Sequence, residues 1–312
     1  MLKRAWFVVT VVAIAGSLAC ELPDDGGGGG GIGISNFTHG FVFVRADDRN
    51  VYAADKSTDY QEIAQLTENG NNKHPSLSHS GRSVVFVHSD ATSTSIQTVL
   101  LAGGTPSTVL VSDAEKSKFA SPVFSPDDSK IVFTYERGGS TYLGVVDVTG
   151  ANFRELTSGT LSFASPSFMP DGKSVLAAAG NLGSGFTQLA TVDIDSGTFT
   201  SVLGGLGNEA LDIRNRVVVS ADGTRAVFDG TVANNSSRIF VANLSTGNVT
   251  QLTDYPGDPG ANDSFPTWVS SGEVAFSSDT GGNDQVYTIA VTATKQAGNL
   301  RLPSAVEPWF GP

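Results

Sequence analysis

The chain has 312 residues, with 19 lysine and arginine residues against 31 aspartate and glutamate residues, and a formal net charge of −12. Phosphate binding needs clustered basic residues, so this acidic balance argues against nucleic acid as a partner. Charged residues make up only 16% of the chain and there are 36 glycines, a composition typical of all-β proteins with many tight turns and not of proteins with long helices.

Residues 1–19 have the pattern of a signal peptide. Lys3 and Arg4 are followed by an apolar run that ends at residue 18, which is shorter than the roughly 20 residues of a membrane span. The run ends in SLAC and resembles the cleavage site of a bacterial lipoprotein, although Ser17 stands where that family usually has leucine. The resemblance implies cleavage before Cys20 and a lipid on its sulfur; an ordinary secretory signal is the alternative. Cys20 is the only cysteine, so no intramolecular disulfide can form.

Residues 20–33 form the next segment, which includes six consecutive glycines. A glycine-rich segment of this length is a flexible coil that reaches about 20 Å. No Lys-Ser or Lys-Thr pair follows the glycines, so a phosphate-binding loop is disfavoured. We interpret the segment as a tether between a membrane surface and a folded body at 34–303, with a C-terminal tail at 304–312.

One hairpin pattern recurs throughout the body. An apolar residue precedes a Ser-x-Asp-Gly-like turn, and an apolar run then ends in phenylalanine in most copies. The copies read ISNFTHGFVF (34–43), PSLSHSGRSVVF (75–86), PVFSPDDSKIVF (122–133), PSFMPDGKSVLA (166–177), VVVSADGTRAVF (217–228) and PTWVSSGEVAF (266–276). Their last positions are 43 to 51 residues apart, a spacing that indicates a propeller, a solenoid or an array.

A third strand follows each hairpin, as at residues 142–146. A fourth strand comes after a further turn, as in FRELT at 153–157 and VTQLT at 249–253. Four antiparallel strands in each of six repeats predict an all-β, six-bladed β-propeller. We expect each blade to come from one contiguous stretch, with the tail packed over the seam between the last and the first blade.

The repeated motif, together with SDTGGNDQVYTIAV at 278–291 and TQLTDYPGDPGANDSFPTW at 250–268, resembles the TolB-type propeller repeat. The same repeat occurs in the propellers of prolyl-oligopeptidase-type and tricorn-type peptidases. The resemblance covers about residues 34–303 and implies the fold, but not one particular function. We expect a free-standing TolB-like propeller, because neither the N-terminal α/β domain of TolB nor a hydrolase domain is visible in the sequence.

Antiparallel strand order divides the connections between two faces. The turns between first and second strands, and between third and fourth strands, share one face, which we call the short-turn face. The remaining connections share the opposite, long-loop face, where we expect recognition because long loops on a rigid scaffold commonly carry binding residues. The short-turn face is expected to be inert. Candidate binding residues on the long-loop face are His74, Lys116, Phe119, Glu209, Asp212, Arg214, Asp258, Asp263 and Phe265.

Catalysis has less support in the sequence. There is no G-x-S-x-G nucleophile motif. His74, His88 and Asp90 could be imagined as metal ligands, but no spacing motif requires a site, and we expect no bound cofactor or metal. The sequence therefore favours a monomeric, lipid-anchored scaffold of the bacterial cell envelope that binds a protein, peptide or glycan. A metal-assisted propeller enzyme, such as a lyase or a lactonase, is the alternative.

Overall fold

The computed structural model describes residues 31–206, 210 and 212–311. Six sheets of four antiparallel strands form a propeller, which confirms the predicted fold class. From the innermost strand outwards, blades one to three consist of Ala305–Gly311, Gly40–Arg45, Val51–Asp55 and Ile63–Gln65; Asn72–Leu77, Ser83–Ser89, Thr94–Leu100 and Ser107–Val111; Ser117–Phe124, Lys130–Arg137, Ser140–Asp147 and Arg154–Glu155.

The other three blades have the same order. Their strands are Leu161–Phe168, Ser174–Asn181, Gln188–Asp193 and Phe199–Leu203; Asp212–Val219, Arg225–Thr231, Ser237–Asn243 and Val249–Gln251; Asp263–Ser270, Glu273–Ser278, Gln285–Ala290 and Asn299–Pro303. Two single-turn 3₁₀ helices lie at Lys56–Thr58 and Thr280–Gly282. Among the described residues, no helix has the length and apolar character needed to cross a membrane.

The hairpin turns form where Ser-x-Asp bonds its own backbone. In the third blade, Ser125 Oγ donates to Asp127 Oδ1 at 2.6 Å and accepts from the amide of Lys130 at 3.0 Å. Ser220 and Asp222 repeat the first contact at 2.6 Å in the fifth blade. These side chains satisfy backbone groups that the turn would otherwise leave unpaired, which explains why the sequence repeats the motif.

The core consists of apolar layers between neighbouring blades. The phenylalanines that end the hairpin motif are buried, and four of them, Phe86, Phe133, Phe228 and Phe276, have no exposed surface. Each sheet is thus covered on both faces by its neighbours.

Ring closure differs from our expectation. The first blade is not contiguous, because its innermost strand is Ala305–Gly311, which pairs antiparallel with Gly40–Arg45. The predicted first hairpin at 34–43 is wrong for the same reason, and residues of the predicted tail are a strand of the propeller. Trp309 packs against the apolar clusters of three separate blade interfaces, so this strand joins the two ends of the ring.

The described chain begins on the short-turn face. Gly31–Ile32 pairs with Gly103–Gly104, at the turn between the third and fourth strands of blade two. Residues 31–33, assigned above to the tether, are therefore packed against the propeller. A Cβ atom at Gly31 would lie 2.3 Å from the Gln65 carbonyl oxygen, and one at Gly33 would lie 2.0 Å from the Gly103 nitrogen, so only glycine fits at either position.

Candidate functional site

The six innermost strands share an irregularity in the middle of the propeller. In each blade, the register between the innermost strand and the second strand shifts at the equivalent position. At this point the innermost strand has more residues than the second strand that pairs with it, which is a β-bulge. Such bulges re-aim side chains and recur next to functional sites. The residues at the equivalent bulge position form a set that we call the central ring: Glu307, His74, Ser121, Ser165, Arg216 and Phe265.

The ring backbone has an unusual conformation. All ring residues except Arg216 have φ between 49° and 54°, the left-handed region that non-glycine residues seldom occupy. Proline follows each of these five residues, whereas Val217 follows Arg216. Proline has no amide hydrogen, so it is tolerated where a bulge interrupts the pairing. The fifth blade also carries one more residue in its bulge than the others, because Ile213 and Val217 pair with Gly230 and Phe228.

Side chains accept hydrogen bonds from the backbone amides that the bulges leave without a partner on the neighbouring strand. The Glu307 amide donates to Ser277 Oγ at 2.7 Å, and the His74 amide donates to Glu307 Oε2. The Ser121 amide donates to His74 Nδ1 at 3.1 Å. Three ring residues from three consecutive blades are thus linked across the blade boundaries. Further bonds of this kind run from the Ser165 amide to Thr134 Oγ1 at 3.1 Å and from the Arg216 amide to Asp229 Oδ1 at 2.8 Å.

Arg216 closes the middle of the propeller. Its side chain is buried, and its guanidinium carbon lies 5.1 Å from the centre of the Phe265 ring and 5.4 Å from that of Trp309. Its Nη1 donates to the carbonyl oxygens of Phe265 and Pro308. Burial lowers the pKa of Arg216 to about 10, against the opposing effect of Glu307 and Asp229, so it remains a cation at neutral pH. The cavity between the inner strands is reduced to about 10 Å³.

His74 and Phe265 give the ring a partly exposed aromatic surface. Their ring centres are 5.5 Å apart. His74 is neutral with its proton on Nε2, because its Nδ1 accepts a hydrogen bond from the Ser121 amide. Although the ring edge is partly exposed, desolvation of the imidazole is the largest effect and lowers the pKa of His74 to about 4; the charge of Glu307 opposes this shift. Its neighbour Glu307 is buried, and Glu307 Oε1 accepts from Arg49 Nη2 at 2.7 Å.

His74 should make the protein lose stability in mild acid. Its pKa is about 4 in the folded state and about 6.5 in the unfolded state, so between these values only the unfolded state takes up the proton. The stability contributed by neutral His74 is complete above pH 6.5 and is lost as the pH falls toward 4. Asp229 and Asp263 act in the opposite direction, because burial raises the pKa of each to about 6.

A comparison of wild type with His74→Gln isolates this effect, because glutamine can still accept the Ser121 hydrogen bond but does not titrate. When the pH is lowered from 7 to 5, the unfolding free energy of wild type should fall by about 1–2 kcal/mol more than that of the variant. Urea unfolding at both pH values measures the difference. Parallel pH dependence in the two proteins would show that His74 is not held neutral.

The other predicted binding residues divide into two groups. Lys116 pairs with Asp113 and lies 5.2 Å from the Phe153 ring centre. Arg214 Nε lies 3.7 Å from Asp212 Oδ2, and burial raises the pKa of Asp212. Asp258 Oδ2 accepts from the Gly281 amide at 3.2 Å. These four side chains, Lys116, Asp212, Arg214 and Asp258, belong to the long-loop face.

Phe119 and Asp263 are not surface residues. Phe119 has no exposed surface and packs with a centre-to-centre distance of 5.2 Å against Phe133 in the core. Asp263 is equally buried, near Thr253, Ser278 and Arg238. The prediction that these two contact a partner does not agree with their burial. Glu209 and Cys20 lie outside the described residues.

The three residues considered as metal ligands, His74, His88 and Asp90, do not form a cluster. His88 Nδ1 lies 3.0 Å from Asn72 Oδ1, and Asp90 accepts hydrogen bonds from Thr92 and Ser93 in its own loop. Across the part of the chain that the structure describes, no three His, Cys, Asp or Glu side chains come close enough together to hold a metal ion.

The sequence reasoning missed Glu307, Ser121, Ser165 and Arg216. In four blades the ring residue directly precedes the proline of the repeat, at residues 74–75, 121–122, 165–166 and 265–266. The fifth such pair is Glu307-Pro308 near the end of the chain. Arg216 has no such signal, because valine replaces the proline.

Fold and ring together define a closed six-bladed propeller whose innermost strands carry chemically varied side chains at their bulges. No protein-family model matches the sequence, and no curated protein matches it. Solved structures do match. TolB from Acinetobacter baumannii is similar with a TM-score of 0.64 and 16% identity over 88% of this chain and 66% of that chain.

TolB from Agrobacterium tumefaciens is similar with a TM-score of 0.62 and 16% identity over 88% of this chain and 98% of that one. An oligogalacturonate lyase in complex with manganese has a TM-score of 0.52 and 17% identity over 78% of this chain and 72% of that one. At these identities the similarity establishes the TolB-like propeller fold and leaves the function to be argued from the site.

Proposed function

We propose that this protein is a lipid-anchored binding scaffold of the bacterial cell envelope, and that its long-loop face recognises a protein, peptide or glycan. The observation that carries the proposal is the chemistry of the central ring. Within a repeated strand, five of six blades keep the proline, whereas the preceding residue is a carboxylate, an imidazole, a hydroxyl in two blades, a guanidinium or a phenyl group. Such variety is what the recognition of one particular partner requires.

The shape of the centre supports a large partner. Arg216 and Trp309 fill the middle, so the ring offers a surface and not a deep pocket. His74 and Phe265 form a partly exposed aromatic patch on this surface. Aromatic side chains at the middle of an interface commonly carry most of the binding energy, while surrounding charges set specificity and encounter rate. Mixed charge is available on the long-loop face from Lys116, Asp212, Arg214 and Asp258. In the sequence, Glu209 stands three residues before Asp212.

Binding is proposed in preference to catalysis because the polar ring groups already bond one another. Glu307 uses one carboxylate oxygen for the His74 amide and the other for Arg49. His74 Nδ1 is used by the Ser121 amide. Each of these hydrogen bonds takes a lone pair that a general base or a metal ligand would use.

The anchor and the envelope location follow from the sequence pattern around Cys20. The first described strand lies on the short-turn face. A tether that joins the propeller there leaves the long-loop face accessible. The proposal predicts a mature N-terminus at Cys20 carrying a lipid, which mass spectrometry of the protein purified from membranes would detect. An unmodified N-terminus at any other residue would remove the anchor from the proposal.

The recognition face can be tested before the partner is known. A photo-crosslinking amino acid placed at Phe265, in cells that express the full chain, should trap one discrete partner from the envelope. The same amino acid at Ser80, which is exposed in a hairpin turn on the opposite face, is the matched control. Equal trapping from both positions, or discrete trapping from Ser80 alone, would contradict the assignment of the face.

A further inference from the structure

A cavity of about 660 Å³ opens on the short-turn face, which the sequence analysis expected to be inert. Two local features account for it. The first two strands of blade one come from distant parts of the chain, so no hairpin turn stands between them. Blade six has a short turn, with only Ser271 and Gly272 between its first two strands. The full turns of blades two and five then stand as walls, at Ser78–His79 and Ser220–Asp222.

The floor of this cavity is aromatic. Trp268, Trp309 and Phe310 line it and are each partly exposed, and Leu77 adds a buried aliphatic surface. Phe310 is held in place by an edge-to-face contact with Phe41 at 4.9 Å between ring centres. The floor is therefore fixed by the core beneath it, as a preformed ligand site requires.

Two cations stand over this aromatic floor. Lys56 Nζ lies 5.7 Å from the ring centre of Phe310, and the Arg225 guanidinium lies 4.8 Å from that of Trp268. Arg225 also donates to the Ser271 carbonyl oxygen at 2.7 Å. Among the described residues neither cation forms an ion pair with a carboxylate. Two unpaired cations at one cavity are unexpected in a chain of net charge −12.

One carboxylate also lines the cavity, and its own turn engages it. Asp222 Oδ1 accepts from Ser220 Oγ at 2.6 Å, from the Thr224 amide at 3.0 Å and from Thr224 Oγ1 at 2.8 Å. These bonds lower the pKa of Asp222 to about 2. Asp222 is therefore ionised at neutral pH, and the nearby charge of Arg225 contributes to its low pKa. Among the described residues it forms no ion pair with Arg225 or Lys56, so both cations keep N–H groups that can donate to an external anion.

We propose that this cavity binds an amphiphilic organic anion, that is, a carboxylate or sulfonate joined to an aromatic or aliphatic body. The apolar body would lie on Trp268, Trp309 and Phe310, and the anionic group would meet Lys56 and Arg225. Both interactions are general ones: aromatic rings bury large apolar areas, and charge-assisted hydrogen bonds are the strong ones. The volume is in the range of small-molecule sites, roughly 300–1,000 Å³. This site lies on the short-turn face, opposite the proposed recognition face, and does not depend on the function proposed above.

Calorimetric titration of the full chain with 2-naphthoate tests the proposal, with the uncharged 2-naphthamide as the matched probe. We expect one equivalent of 2-naphthoate to bind and the amide to bind at least about tenfold more weakly, because a charge-assisted contact contributes more than a neutral one. Lys56→Gln and Arg225→Gln should each weaken naphthoate binding about 5–10-fold. Lys118→Gln removes an exposed cation from the long-loop face and should leave the affinity unchanged.

Circular dichroism and the urea midpoint of each variant establish that it is folded, which is expected because both cations are at the surface. Equal affinity for the acid and the amide would overturn the proposal, since the cations would then play no part. Equal weakening by Lys118→Gln would overturn it as well, because the effect would follow net charge and not the cavity. Absence of 2-naphthoate binding at millimolar concentration would contradict it directly.

Discussion

Removing residues 305–312 should abolish cooperative folding. The deletion takes away the innermost strand of blade one and exposes the backbone of Gly40–Arg45 as an unpaired edge. It also removes Trp309, which packs into three blade interfaces, and Glu307, which lies beside Arg216. The buried Arg216 would then lose an opposite charge, and uncompensated buried charges are strongly destabilising. The loss should exceed the 5–15 kcal/mol that typically stabilises a domain.

Far-UV circular dichroism with urea unfolding measures this effect. The matched control is Leu300→Ala in the outermost strand of blade six, where the side chain is half exposed; a surface change of this kind should stay within about 0.5 kcal/mol of wild type. A truncated protein with the wild-type urea midpoint would show that the ring closes without this strand.

Phe133→Ala should destabilise the protein by about 3–5 kcal/mol, the usual cost of truncating a core aromatic. Phe133 has no exposed surface and contacts Phe119 and Phe153, with centre distances of 5.2 and 6.2 Å. It also lies against Gly144 on the paired strand, where a Cβ atom would approach its ring to 2.9 Å. The truncation would therefore leave a cavity that its neighbours cannot readily fill.

Chemical denaturation compares this variant with Phe199→Ala, an aromatic truncation on an outermost strand. Phe199 is 47% exposed, so its loss should cost less than about 1 kcal/mol. If the two variants have similar unfolding free energies, the layer around Phe133 is not the core described above.

The blade repeat could be predicted from sequence because its signals are local. The Ser-x-Asp turn and the apolar runs beside it depend on neighbouring residues, as the Ser125–Asp127 contact shows. Ring closure was predicted wrongly because it depends on pairing between residue 40 and residue 311, which are far apart in the sequence. The Glu307-Pro308-Trp309 sequence does resemble Phe265-Pro266 and the tryptophan after it, and this similarity was the available signal.

The candidate site was predicted in part for a related reason. Loop position selected His74 and Phe265, whose rings meet in the central ring. It failed for Phe119, because alternate side chains of a strand point to opposite sides and this one points into the core. Arg216 could not be found, since its role arises from the convergence of the fifth blade with Phe265 and Trp309 across the ring.

The assignment of recognition to the long-loop face is the central claim, and a binding titration of Phe265→Ala and Ser80→Ala against the partner trapped at position 265 tests it most directly. Phe265 is a partly exposed aromatic in the ring, so its truncation should weaken binding by more than about 1 kcal/mol, or roughly fivefold, while Ser80→Ala on the other face should bind as wild type does. Both variants must first show the wild-type circular dichroism spectrum. Loss of binding in Ser80→Ala with full affinity in Phe265→Ala would contradict the account and place recognition on the short-turn face.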